Sequence, residues 1–340
     1  MILVTGGNGF LGRSVVTQLL VQGEKEIRCL VRPGSSVDKL VALQNEFPTS
    51  TIEIAYGDLT AADDATRAAR NANVVYHLAA AIKGVPTELF LNTVVGSKNL
   101  LEAVIAEKVA RVVLVSSFGV YGTSALAKGA LVDETAPLEV YPERRDVYSH
   151  TKLRQEQLFW EYRKKGGFEL VVLRPGVIYG PGGGAMSSRV GLNVFGVFWR
   201  MGGNNVLPLT YVENCAEAIV RAGQYPKADG EIYNVVDDEL VTARQYLKMY
   251  RKSVKPLRTF PLPFPVVYLL SYFVERYHVR SKGQLPDVLT RYKSRALWQG
   301  NTFSNSRLKA IGWRPRVDCP TGLQRTFDYF RAVESKPVVS

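Results

Sequence analysis

The sequence predicts a doubly wound α/β fold, a parallel sheet with a smaller C-terminal lobe. Three observations carry this reading. Short runs rich in Val, Ile and Leu recur through the first 180 residues. Stretches with helical spacing of apolar residues separate them. A glycine-rich turn follows the first run directly.

The runs lie at 2–4, 27–31, 52–55, 74–77, 112–115 and 170–173, and none alternates strictly with polar residues. Strands buried on both faces read this way, and they belong to parallel sheets. Helices are expected over 13–22, 61–70, 92–107 and 147–165. Regular strand–helix alternation of this kind builds a doubly wound sheet. After Arg174 the rhythm loosens. A turn-rich RPGVIYGPGGG leads to a helical piece at 214–222, a strand at 232–236 and a proline-punctuated stretch at 256–265. We therefore expect a first domain over 1–180, a second lobe over 181–335 partly interleaved with it, and a frayed tail at 336–340.

A chain of 340 residues is long enough for a sizeable core. Its 46% apolar and 22% charged residues are those of a soluble globular protein. Cys29, Cys215 and Cys319 are scattered, odd in number and without ligand spacing, so neither a disulfide framework nor a metal site is expected. The net charge of +12 suits nucleic acid, an anionic membrane surface or a phosphorylated ligand. Nucleic acid is the weakest of these, because no arginine-rich run or aromatic-interleaved basic patch appears. A solvated basic surface is the plainer reading of such scattered charge. The opening MILVTGG enters a strand without a basic n-region or cleavage site, which predicts a cytoplasmic chain. One apolar run, 264–274, is too short to span a bilayer of about 20 residues. It reads as a buried helix, a wall of the substrate lobe, or a helix in peripheral contact with a membrane.

Gly6, Gly9 and Gly12 sit between the first strand and the first helix, with Phe10 and Leu11 opening that helix. Glycines there permit a tight turn and let backbone approach a pyrophosphate, while the helix N-terminus offers free N–H groups. This placement points to a dinucleotide. The second strand ends at Val31–Arg32 with no carboxylate to hold a ribose 2′-hydroxyl. A guanidinium suits a 2′-phosphate, so NADP(H) is favoured over NAD(H). Arg32 stacking on adenine, or facing water, are the plainer alternatives. Asp58, in YGDLT after the third strand, reads either as a partner of the adenine amino group, with Leu59 packing on the ring, or as an N-cap.

Ser116 and Ser117 follow the fifth strand at its C-terminal end, where α/β sheets place ligands. Tyr148 and Lys152 stand four apart on the next helix, on one face. A free tyrosine has a pKa near ~10, too high for proton transfer at neutral pH. A lysine ammonium beside it favours the phenolate and lowers that value. Tyr148 is then the acid/base, Ser117 orients a substrate oxygen, and Lys152 also bonds the nicotinamide ribose. His77 reads as structural, and His150 lies on another helix face.

At these residues the chain resembles the extended short-chain dehydrogenase/reductase family. TGGNGFLG, GDLT, HLAA (77–80), NTVVGSKNLLEA (92–103), VSSFGVYG, YSHTK and RPGVIYGPG carry the likeness, in order, across nearly the whole chain. The resemblance implies a Rossmann-type NAD(P)-binding domain and a Ser117–Tyr148–Lys152 triad. It gives Asn92, set against the family's Asn-Val-x-Gly, a structural or proton-relay role. It implies that Leu78, Ala79, Ala80 and Ser116 line the cofactor, and that Pro175, Gly176, Val177 and Ile178 lie by the nicotinamide. It also implies a homodimer formed through the helices carrying Asn92 and Tyr148.

Sugar-nucleotide dehydratases of the family carry an Asp-Glu pair just after the Ser/Thr position. Phe118 and Gly119 stand there, so water elimination lacks its acid and base. The stretches 202–219 and 289–317 resemble the 3β-hydroxysteroid and sterol dehydrogenase branch. The reading is therefore an oxidoreductase interconverting a secondary alcohol and a ketone on a bulky, steroid-like small molecule. Its pocket is expected from Phe118, Tyr179, Phe195, Phe198 and Trp199, unless these simply pack the core. The alternative is a sugar-nucleotide 4-epimerase holding NAD, with Arg189, Arg200, Arg244 and Arg291 as diphosphate ligands. A catalytically silent dinucleotide sensor or scaffold is the third.

Overall fold

The computed structural model describes residues 1–194, 196–281 and 289–334. Seven strands form the main sheet: β1 (Ile2–Thr5), β2 (Glu26–Val31), β3 (Thr51–Tyr56), β4 (Val74–His77), β5 (Arg111–Val115), β6 (Glu169–Pro175) and β7 (Ile232–Val235). Their order is β7-β6-β5-β4-β1-β2-β3. Every neighbouring pair is parallel. The order reverses between β1 and β4, and that gap is where α/β sheets take ligands. The first six strands lie where the apolar runs predict them. The seventh, read as part of the second lobe, completes the main sheet.

Successive side chains of a strand face opposite ways. Ile2 and Val4 enter a core with α1 (Phe10–Val21), while Leu3 enters the core on the other face. α2 (Asp38–Glu46), which the apolar spacing does not reveal, buries only Leu40 fully. On the second face lie α3 (Ala62–Ala69), α4 (Pro86–Phe90), α5 (Gly96–Ala106) and α6 (Val147–Gly166). Leu100, Leu101, Leu158 and Phe159 anchor that side. α7 (Val212–Gln224), from beyond residue 180, lies against α1 and buries Cys215, Ile219 and Val220 in the first face's core. All three cysteines are buried thiols.

The helix expected at 92–107 begins earlier, with Pro86 in its first turn. A single π-helical turn, Leu91–Val95, joins α4 to α5. The continuous Pro86–Ala106 stretch is long and apolar enough to cross a membrane by length and composition. Its Leu100, Leu101, Ala103 and Val104 are packed in the core.

α8 (Ala243–Ser253) and the short ladder of 191–194, Val197–Arg200 and Thr259–Pro261 build the second lobe. Beside them runs α9 (Phe264–Arg280), next to α10 (Arg291–Trp298). α9 fully buries only Val267 and Ser271, and the Ser271 hydroxyl meets Ser294 Oγ at 2.8 Å. Its large apolar side chains face outward: Leu269 is 57% exposed and Phe273 59%. The 264–274 run is thus not a buried helix.

Candidate active site

Gly6 ends β1 with φ +74, the left-handed region that glycine tolerates. The turn that follows is closed by the Gly9 N–H donating to the Gly6 carbonyl at 3.1 Å. A Cβ on Gly12 would lie 2.0 Å from that same oxygen, so only glycine fits. The helix α1 starts at Phe10 with Gly9 as its cap residue and no side-chain cap. Its first N–H groups are left for a ligand. This is a cradle fitted to a pyrophosphate.

A cleft of 610 Å³ opens beside the turn, walled by Gly6, Arg32, Asp58, Leu59, Ala79, Ala80 and Asn92. Asn8, Ser35, Lys83 and Glu88 also line it, and nothing in the sequence pattern singles them out. Arg32 donates to Asn92 Oδ1 at 2.8 Å and lies 3.5 Å from Asp58 Oδ2. Asp58 Oδ1 accepts the Thr60 N–H at 2.8 Å. It closes that turn, whereas the cap residue of α3 is Ala61, so the N-cap alternative does not hold. Leu78 is half-buried beside Ala79, against which Gly6 packs.

Asn92 lines the cleft at this end of the site. Its amide is taken up by Arg32 and by the Glu88 carbonyl, 2.8 Å each. The motif register points to the next residue instead. Asn-Val-x-Gly sets its Asn three residues before the Gly, and three before Gly96 is Thr93, followed by Val94. Thr93 is buried, and its hydroxyl accepts the Ala81 N–H at 3.0 Å.

At the C-terminal end of β5, Ser117 accepts the Gly119 N–H on Oγ at 3.0 Å and starts a short 3-10 turn. A Cβ on Gly119 would sit 2.9 Å from Ser149 Oγ, so glycine lets this turn close onto α6. Asp146 caps α6, accepting the Ser149 N–H at 2.9 Å, which fixes the first helical turn and with it Tyr148. The half-buried Tyr148 phenol lies on the Ser117 side of this turn. Burial raises the Tyr148 pKa above that of an ordinary phenol, and the Ser117 side chain opposes the rise.

Lys152 is 2% exposed. Its ammonium donates to the Val115 carbonyl at 2.6 Å and to Gln155 Oε1 at 2.5 Å. Burial brings its pKa down to about 7, against the pull of Glu156. The lysine was expected to depress the tyrosine's pKa, but the direction here is upward and Lys152 is turned into a buried polar cluster. Ser116 corrects another expectation. Its hydroxyl donates to Glu156 Oε2 at 2.5 Å, inside the core, and Glu156 is paired with Arg174.

At the end of β6, Pro175 is buried, while Gly176, Val177 and Ile178 are half-buried. A Cβ on Gly176 would fall 2.1 Å from the Pro208 carbonyl, so glycine lets the two segments touch. Val177 and Ile178 pair in parallel with Leu209 and Thr210. Among the described residues the expected aromatic pocket does not assemble. Phe118 packs with Tyr121, Val132 and Phe303, and Tyr179 with Tyr211, both in the core. Phe198 is core as well, Trp199 rests on Phe260 at 6.0 Å, and Phe195 lies outside the described residues. For Phe118, Tyr179 and Phe198 core packing won, because they lie on strands and turns whose inner faces need filling.

A second cleft of 460 Å³ lies in the C-terminal lobe, with Arg200, Arg244, Lys248, Arg251, Met201 and Trp298 on its walls. The buried Arg200 Nε has no hydrogen-bond partner among the described residues. Arg291 is elsewhere, paired with Glu275 at 2.7 Å.

A parallel sheet with a glycine cradle at its switch point defines a dinucleotide-binding protein of Rossmann type. The chain belongs to the NAD dependent epimerase/dehydratase family, whose model matches residues 2–235, and it is an NAD(P)-dependent enzyme of that family. It is 27% identical to 3beta-hydroxysteroid-dehydrogenase/decarboxylase isoform 1 of Arabidopsis thaliana, over 98% of this chain and 80% of that protein. It is 26% identical to the UDP-glucose 4-epimerase of Vibrio cholerae, over 97% of this chain and 95% of that one. Among solved structures, the UDP-glucose 4-epimerase of Thermus thermophilus in complex with NAD superposes with a TM-score of 0.69 at 25% identity. That match covers 97% of this chain and 98% of the other.

Proposed function

We propose that the protein is an NADP(H)-preferring oxidoreductase that interconverts a secondary alcohol and a ketone on a bulky, mainly apolar, steroid-like small molecule. The observation that carries the reading is the packing of the Ser117 turn, at the C-terminal end of β5, against the first turn of α6, which carries Tyr148. The likeness to a 3β-hydroxysteroid dehydrogenase supports the substrate class. The absence of a carboxylate at the end of β2, together with Arg32, supports the 2′-phosphate.

The glycine turn holds the pyrophosphate, and Arg32 meets the ribose phosphate. Gly176, Val177 and Ile178 take the nicotinamide end. The bound nicotinamide supplies or accepts the hydride. The protein's own residues manage the proton. Ser117 orients the substrate oxygen, and Tyr148, whose phenol burial keeps protonated, donates to it as a ketone is reduced. Lys152 supplies positive charge behind the tyrosine. Titration with both NADPH and NADH, then a screen of steroid, hydroxy-acyl and sugar-nucleotide substrates, tests the reading. Tight NADPH binding with turnover of a hydroxysteroid or its ketone is expected; turnover of sugar nucleotides alone would overturn it.

One observation favours the epimerase as a second reading. Four cations line the second-lobe cleft, one with an unpartnered buried N–H, and a diphosphate suits them. Calorimetric binding of a nucleoside diphosphate hexose, lost in Arg200→Ala, would favour it.

We further infer a homodimer through the helices carrying Asn92 and Tyr148, where Leu91, Val95 and Ile105 are exposed. We assign the outward face of α9 to an anionic lipid surface. Leu269, Leu270, Phe273 and Tyr277 face out, with Arg276 and Arg280 beside them. The two exposed guanidinium groups among these apolar side chains favour anionic headgroups.

A further inference from the structure

Gln155 is fully buried, one helical turn after Lys152 on α6. Its Oε1 accepts the Lys152 ammonium at 2.5 Å. Its Nε2 donates to Ser97 Oγ at 2.8 Å and to His77 Nε2 at 3.0 Å. His77 Nε2 is then an acceptor, so the proton sits on Nδ1 and is donated to Thr5 Oγ1 at 2.7 Å. Burial holds His77 neutral, with its pKa lowered to about 3. Ser97 in turn donates to the Thr93 carbonyl. Thr5 is the residue directly before Gly6 and also accepts the Ala79 N–H at 3.4 Å. A continuous buried relay of neutral groups therefore runs from the glycine turn, through the end of β4, to Lys152.

We propose that Gln155 is a positioning residue that holds the Lys152 ammonium against the β5 carbonyl edge and ties it, through His77 and Thr5, to the dinucleotide turn. This rests on the reading of Lys152 as the cation behind Tyr148. The amide is suited to the task. Its carbonyl faces the cation and its NH₂ faces Ser97, His77 and, at 3.4 Å, the Ala79 carbonyl, an orientation that no apolar residue of that size provides. The charged or titratable groups about Lys152 are few. Glu156 on α6 attracts it but is engaged by Arg174 from β6 and by Ser116. His77 on β4 is neutral. Gln155 and the Val115 carbonyl are its hydrogen-bond acceptors. Without Gln155, the buried charge keeps a single carbonyl, and the neutral amine gains.

Lysine-selective ¹³C NMR titration of the full chain reads the inference directly, with Lys152→Met assigning the signal. Gln155→Leu is expected to lower the Lys152 midpoint by about one to two pH units, the size of a lost hydrogen bond to a charged donor. Gln155→Glu keeps the acceptor and adds negative charge, so the midpoint should rise; this variant also serves if the Leu variant does not fold. NADPH affinity, measured by fluorescence, should fall in Gln155→Leu, because the turn loses its anchor. An unchanged Lys152 midpoint in either folded variant would overturn the proposal. Full turnover in Tyr148→Phe would instead sink the acid/base reading, whatever the lysine titration shows.

Discussion

The Arg32 guanidinium donates to the Asn92 side-chain oxygen at 2.8 Å, across the mouth of the cleft beside the glycine turn. A 2′-phosphate bound there would take over that donor. Arg32→Ala should weaken NADPH binding about 10- to 100-fold, the value of one charged hydrogen bond, and leave NADH nearly unchanged. Raised salt should narrow the difference, because Arg32 is exposed. Fluorescence titration with both nucleotides decides it. Equal losses would remove Arg32 from the recognition of phosphate.

The glycine turn makes a sterically sharper prediction. A Cβ on Gly12 would lie 2.0 Å from the Gly6 carbonyl oxygen. Gly12→Ala should cost about 1–3 kcal/mol through forced backbone shifts and should abolish dinucleotide binding. Denaturant unfolding and NADPH fluorescence measure the two effects. Binding that survives would mean the turn is not the cradle.

Lys152 carries a pH signature. Its pKa in the fold is about 7, below the ordinary 10.5 of the unfolded chain. The folded state therefore binds the proton more weakly, and stability is lost as pH falls from 10.5 toward 7. Lys152→Met should be more stable than the parent at pH 6, with the advantage shrinking as pH rises through that window. Unfolding curves across the range test this. A difference independent of pH would show that the ammonium is not strained by burial.

The outward face of α9 predicts sedimentation with vesicles containing anionic lipid. Leu269→Glu combined with Phe273→Glu should abolish it. Melting temperature should be unchanged or higher, since both side chains are exposed. Persistent co-sedimentation of the double variant would exclude this face.

Much of the architecture was legible from residue patterns. Strands buried on both faces write themselves as continuous Val-Ile-Leu runs, so the parallel sheet followed from the sequence. α2 escaped because it buries only Leu40 and leaves no apolar stripe. The turn from Ser117 and the helix bearing Tyr148 and Lys152 were legible too, since local spacing sets them. What spacing cannot reveal is the partner of a buried polar group. Gln155 meets His77 from 78 positions away, a contact that no i,i+4 spacing reveals. The aromatic residues failed for a related reason. Phe118 and Tyr179 sit close in sequence to candidate site residues, yet their rings fill the core. Asn92 failed by one position, because the motif register runs back from Gly96 to Thr93.

The central claim is that the Tyr148 phenol moves the proton, and Tyr148→Phe tests it most directly. With the substrate found by the screen, turnover should fall by about 10²–10⁴-fold or more while NADPH affinity stays within about twofold. Turnover equal to that of the parent enzyme would contradict the assignment.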